Sequence, residues 1–329
     1  MCASLASSST FGDTIQWTAV TEYPSTTMPG VGLLTFATEL SNLSAGTMTV
    51  RTSDDSTLTA LSALSAVHQN HIMIGDVHGG PLSAIEPIFS LVSLPFLTAS
   101  VDDTQCLQSV TRDLYTRHLD RLGVHLLYSA PWPATGLWSA TSVQSLADMR
   151  KLRVRTYDET AASFLKALGV DGVHMPMNEA LPLLATGEIT AVMSSGDGGA
   201  GQRLWEHLPY FVELNYAAPL SFAVLNQSAY ARLTEAQRHY VDEAARRTEK
   251  RLWTVMVDRQ SKNYDAMRQN HVTIQYMTPT FAEELKPASQ HAIDDWSTRV
   301  GPDGEELLRR YVALRPIANR LHDTDICSR

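Results

Sequence analysis

With 329 residues, 44% hydrophobic and 19% charged, the chain has an ordinary globular composition and the length of two lobes of usual size. Twenty-six basic against 35 acidic residues leave a net charge of −9, and with no Lys/Arg-rich run this argues against nucleic acid as a partner. No apolar run reaches the ~20 residues of a membrane-spanning helix. The opening MCASLASSSTFGD has no basic region followed by a long apolar one, so it reads as a mature start or loose leader rather than an intact secretory signal.

In chain order, TIQWTAV (14–20) is β-branched and aromatic and reads as a strand. Residues 31–43 read as a helix ending near Gly46, MTVRTSD (48–54) as a strand, and 56–69 as a small-residue helix. HIMIGDV (71–77) is a buried strand before a Gly-Gly-Pro break, and residues 90–96 read as a further strand. A helix over 102–122 closes at Gly123 and leads into the strand VHLLYSA (124–130). This alternation predicts an open, mostly parallel sheet covered by helices.

A second unit begins near Trp132. Residues 151–155 read as a strand, 158–168 as a helix stopped at Gly169, 173–175 as a short strand, and a helix from Asn178 to Gly187 follows. Residues 189–193 form a strand delivering Ser194 and Ser195, and SSGDGGAG (194–201) reads as a loop. After the strand PLSFAVLN (219–226), the box Thr234-x-x-Gln237 opens a helical pattern that runs without Gly or Pro to about Asn270. At 1.5 Å per residue it is roughly 50 Å long, enough to touch both lobes. VTIQYM (272–277) is a strand, Thr280-x-x-Glu283 opens another helix, and the last helix covers 304–314.

Arg155 stands where a strand gives way to a helix, and the carboxyl ends of strands are where open α/β sheets hold ligands. Its planar fork of donors matches a carboxylate. Arg153 is expected to point to the opposite face and reads as a solvated charge. Cys2, Cys106 and Cys327 have no metal-type spacing and suggest no disulfide framework. Cys2 reads as a stray tail thiol, with lipid modification the alternative. His68, His71 and His78 match no zinc pattern, so no metal or other cofactor is expected. GDGGAG (196–201) lacks the Lys-Ser/Thr of a phosphate loop, and no nucleophile–base pairing points to catalysis.

LADMRKLRVR, a helix, and then MPMNEALPLLATGEITAVMSS resemble the core signature of the extracytoplasmic solute receptors of TRAP transporters, the DctP-type family. GDVHGGPLSAIEPIFSLVSLPFL resembles the same family's segment ending in Leu-Pro-Phe. The likeness covers roughly residues 14 to 315. It implies an α/β, two-lobe periplasmic-binding-protein-like fold with a long helix spanning both lobes. The lobes are then 13–130 plus 218–258 and 131–217 plus 259–316, with loose tails at 1–12 and 317–329. It further implies a periplasmic, monomeric receptor that is not an enzyme, with a sensory receptor or an enzyme built on the same two-lobe fold as the alternatives. Such a receptor closes on a small carboxylate and docks on TRAP membrane subunits.

By the same resemblance, Arg155 is the carboxylate anchor, and Ser194, with Ser195 beside it, occupies the position of a ligand-contacting Asn. Trp132 stands where acidic-ligand members often carry a second arginine. With Tyr128 and Trp138 it predicts a ligand with an apolar or aromatic body. Tyr23, Asp76 and His78 follow strands of the first lobe and are cleft candidates, while Glu22 is expected to face solvent. Asn215 and Tyr216 lie at the second crossover and complete the set.

Overall fold

The computed structural model describes residues 14–98 and 100–321. The loose tail proposed for 1–12, Cys2 and Cys327 lie outside the described residues. The first sheet holds β1 (Ile15–Thr21), β2 (Met48–Asp54), β3 (Ile74–His78), β4 (Val124–Pro131) and β10 (Leu220–Asn226), in the order β2-β1-β3-β10-β4. The second holds β5 (Thr135–Ser139), β6 (Arg153–Thr156), β7 (Asp171–His174), β8 (Ala191–Ser195), β9 (Tyr210–Glu213) and β11 (Thr273–Tyr276), in the order β11-β9-β5-β8-β6-β7.

Helices α1 (Met28–Leu43), α2 (Ala60–His68) and α3 (Val101–Arg121) accompany the first sheet. The short α4 (Leu146–Met149), α5 (Glu159–Ala167), α6 (Met177–Thr186) and α7 (Gly196–Gly201) accompany the second. The short α8 (Gln227–Ala231) precedes the long α9 (Glu235–Gln269), and α10 (Pro279–Val300) and α11 (Pro302–Leu321) close the chain.

The chain passes between lobes through residues 132–134 and 214–219. Each passage changes strand direction. β10 runs antiparallel to β3 and β4, and β5 runs antiparallel to β8 and β9, while the other pairs are parallel. The expected mostly parallel character therefore fails at the two strands that the crossovers deliver. The 35-residue α9 joins the lobes. Val241, Ala244, Leu252 and Met256 sit in the first lobe's core, and Met267 with Tyr264 in the second's. Its N-terminus carries the expected capping box, Thr234 with Gln237.

Several local readings change. Residues 90–96 form no strand: two 3₁₀ turns, Gly80–Ala84 and Pro87–Ser93, bury this apolar run. A short apolar run has no periodicity to separate turn from strand. GDGGAG is helical, not a loop, because the Ser195 hydroxyl accepts the Gly198 N–H and starts α7. α10 is capped by Thr278, which accepts from the Phe281 N–H, rather than by Thr280. α11 lies along α3 with Leu307 and Tyr311 in the first lobe's core, whereas the expected lobe bounds placed residues 259–316 with the second. It continues into the stretch expected to be a loose tail. Cys106 is disulfide-bonded, a bond the odd, widely spaced cysteine set did not announce.

Candidate functional site

β6 reads Arg-Val-Arg-Thr, and since side chains alternate along a strand, its two arginines, two residues apart, share one face rather than lying on the expected opposite ones; what separates them is position along the strand. Arg153 is exposed beside Asp171 at the sheet edge, 3.7 Å away. Arg155 pairs in register with Val173 of β7 and Val192 of β8 and is only 7% exposed. Its Nε–H donates to the Met175 carbonyl at 2.8 Å, which fixes the plane of the guanidinium and leaves the two terminal nitrogens. Among the described residues no carboxylate lies within 4 Å of it. Burial pulls its pKa below the usual arginine value, partly offset by the Tyr23 and Glu22 groups nearby. A buried cation without a counter-ion is costly, so the site favours an anion that completes it.

Both lobes wall the space in front of Arg155. Tyr23 and His78 come from the ends of β1 and β3, Trp132 and Pro219 from the crossovers, and Thr135, Tyr157, Met177, Ser194, Ser195, Gly198 and Gln202 from the second lobe. The space is ≈ 40 Å³, room for on the order of three waters at ~10–15 Å³ each, so the lobes stand close together. Tyr23 meets Trp132 edge-on with centroids 4.8 Å apart, and His78 lies 5.2 Å from Tyr157 and 6.1 Å from Trp132.

The Gly80 N–H donates to His78 Nδ1 at 3.3 Å, which leaves the ring proton on Nε2. Burial and the Arg155 charge hold the His78 pKa down to about 3, so the ring is neutral near pH 7 and can donate one hydrogen bond.

Trp132 is set from behind. Its Nε1–H donates to Ser221 Oγ at 3.0 Å. Ser221 also bonds Asp76, and Thr21 Oγ1 donates to Asp76 Oδ2 at 3.0 Å. Asp76 is therefore a buried support within the first sheet, not a wall of the cleft. Burial pushes its pKa up to about 8, against the hydroxyl bonds that lower it. The sign follows from linkage: the folded state keeps this proton where the unfolded chain has lost it. The contribution is intact below about pH 4 and is lost as pH rises through about 8. Replacing Asp76 by Asn removes that loss. The melting temperature of Asp76→Asn relative to wild type should climb by several degrees, ~5 °C, from pH 5 to pH 9. Differential scanning fluorimetry at both pH values checks this, and a flat or falling difference would contradict it.

Of the other expected residues, Tyr23, His78, Trp132, Arg155, Ser194 and Ser195 face one cavity. Trp138 does not. Its strand register sets it against Val192 and Phe211, it is fully buried, and its Nε1–H donates to the Ser195 carbonyl at 3.2 Å. Tyr128 is likewise buried in the first lobe's core. Tyr216 is buried against Phe96 and Phe164. Asn215 adopts φ +51° and donates to Glu213 Oε1 at 3.1 Å. It lines a separate groove under α9. A crossover residue can turn to either side of the hinge, and sequence position alone does not separate the two.

Glu22 is a correction in the other direction. It is half-buried, contacts the Tyr23 hydroxyl and feels the Arg155 charge, and burial raises its pKa to about 7. Thr135, Tyr157, Met177 and Gln202 were missed. The signal for Tyr157 lay in the sequence: it is two residues after Arg155, on the same face if the strand continues. A larger groove, ≈ 430 Å³ between α5, α10 and Pro81–Ala84, is lined by exposed His291, Asp295 and Arg299. It offers no buried charge to a ligand.

Two α/β lobes joined by crossovers and one spanning helix, with a buried cation between them, are the architecture of a solute-binding protein. No helix among the described residues is long and apolar enough to cross a membrane. The chain belongs to the bacterial extracellular solute-binding protein family 7, DctP, whose family model matches residues 19–299. It is similar to DctP7 of Bordetella pertussis, an extracytoplasmic solute receptor binding pyroglutamic acid. The two are 28% identical with a TM-score of 0.86, over 90% of this chain and 99% of that one.

A marine metagenome TRAP solute-binding protein specific for pyroglutamate is 25% identical with a TM-score of 0.87, over 92% of this chain and 100% of that one. The L-gulonate-bound protein of Haemophilus influenzae shares the fold at 14% identity and a TM-score of 0.84, over 91% of this chain and 99% of that one. No curated protein matches the chain.

Proposed function

We propose that the protein is a periplasmic, monomeric receptor that closes on a small organic acid and hands it to TRAP membrane subunits. The carrying observation is Arg155: buried, oriented by Met175, and without a carboxylate partner among the described residues. A ligand carboxylate would take the two terminal nitrogens as a bidentate pair. Ser194 and the His78 Nε2–H would meet its polar atoms, and the Tyr23, Trp132 and Tyr157 rings its apolar body. Among the described residues no second cation lines this cavity, and Glu22 stands close to the first. Both features favour one carboxylate over two. Pyroglutamate, bound by the relatives at 25% and 28% identity, has this make-up.

The reading is binding without turnover. Ser195 Oγ is occupied as a helix cap, and His78 lies flanked by rings and beside the Gly80 backbone rather than a nucleophile.

A thermal-shift screen of organic acids tests it. Pyroglutamate and other compact monocarboxylates should raise the melting temperature, by RT ln(1 + [L]/Kd) of added stability. Stabilisation by sugar acids alone would overturn the role given to Trp132 and its neighbours.

A further inference from the structure

α1 begins without a side-chain cap of its own. Thr27 occupies the cap position but makes no such bond, and the first turn has no acidic residue. A helix N-terminus leaves N–H groups unsatisfied and carries the positive end of the helix dipole. Here the Met28 N–H donates to Asp197 Oδ2 at 2.8 Å, across 169 residues of sequence. Met28 belongs to the first lobe and Asp197, in α7, to the second. The Asp197 side chain is 1% exposed.

Its other oxygen, Oδ1, accepts from Arg259 Nε at 2.6 Å, and Arg259 also donates to the Thr26 carbonyl of the first lobe. Arg259 lies on α9 between Met256, packed in the first core, and Met267, packed in the second. The lobes meet tightly here: a Cβ on Gly201 would come within 2.7 Å of Thr27 Cγ2.

We propose that Asp197 and Arg259 form a latch that holds the two lobes together over the bound acid. Asp197 borrows the N-terminus of the first lobe's leading helix as its partner. The inference rests on the cleft being the acid site. Asp197 is a positioning residue: it lies between Ser195 and Gly198, which both line the cavity. The turn that touches the ligand therefore also carries the latch. Separating the lobes breaks the Met28–Asp197 bond and the Arg259–Thr26 bond, whereas Arg259 and Asp197 can stay paired. The latch thus acts on release more than on entry.

The test uses pyroglutamate, or the acid from the thermal screen that stabilises most, with calorimetry for Kd and stopped-flow fluorescence for the rates. Asp197→Asn should raise koff and Kd about tenfold, the order expected when a charged cap is lost, with kon within about twofold. Arg259→Gln should do the same, and the double variant should lose no more than about the larger single loss, since both belong to one unit. Values of koff and Kd within twofold of wild type, or fully additive losses, would overturn the latch.

Should a variant not fold, amide exchange on the wild-type protein decides. The latch requires residues 26–31 to gain protection with the acid, and protection confined to the neighbourhood of Arg155 rejects it. Arg155→Ala separates the two levels: binding unaffected by that change defeats the acid-site reading itself, while loss of binding there with an unchanged Asp197→Asn defeats only the latch.

Discussion

Arg155→Ala should abolish measurable acid binding while the protein stays folded. The side chain makes one bond to the protein, from Nε to the Met175 carbonyl, and its charge is held in a buried position that disfavours it. Removing it therefore costs the fold little and relieves a buried charge. For the ligand the loss is severe, because its carboxylate would be desolvated against aromatic rings with no partner. Truncating one side of a buried, hydrogen-bonded charge pair costs ~2–5 kcal/mol, roughly 30- to 5,000-fold in Kd. Lys at this position should not restore wild-type affinity, since a point charge cannot reproduce two parallel bonds. Isothermal titration of both variants, with their melting curves, measures this. An Arg155→Ala protein with wild-type affinity would remove the central residue of the proposed function.

Trp138→Ala should act on stability instead. The ring is fully buried, stands edge-on to Phe211 at 5.2 Å and fills the space beneath Gly199. A Cβ on Gly199 would meet its ring at 2.2 Å. Deleting a buried Trp or Phe side chain costs ~3–5 kcal/mol, which for a chain of this size is a fall of ~10 °C in melting temperature. Affinity should weaken only as far as the β8–α7 turn loosens, because Trp138 supports the Ser195 carbonyl rather than the ligand. Thermal melts beside titrations separate the two roles. An unchanged melting temperature with lost binding would return Trp138 to the cleft.

The contrast between Arg155 and Trp138 shows what the sequence discloses. Arg155 was legible because it stands where a short strand gives way to a helix starting at Asp158, and because the flanking LADMRKLRVR resembles a family signature. The long helix was legible from its capping box and uninterrupted pattern. Trp138 was not, because its side is set by β5 pairing with β8 and β9, strands more than fifty residues away, and β5 itself has too little alternation to be recognised. Gly196–Gly201 read as a loop on composition, yet close packing against Trp138 and Thr27 leaves no room for side chains at Gly199 and Gly201. Tertiary contact overrides local propensity there. Glu22 looked solvated beside Tyr23 because nothing nearby in sequence reveals that Arg155 will approach it.

The direction changes at β5 and β10 bear on how the molecule is made. The middle of the first sheet is incomplete until Leu220–Asn226 slots between β3 and β4, although those two strands are finished by residue 131. On a growing chain made at ~5–20 residues per second, two hydrophobic strand edges therefore wait several seconds for their partner. The second sheet gains its edge strand β11 only after the whole of α9. The first sheet is thus not a piece that can be finished before the chain has returned from the second lobe, and a fragment ending before β10 would carry the open edges that invite aggregation.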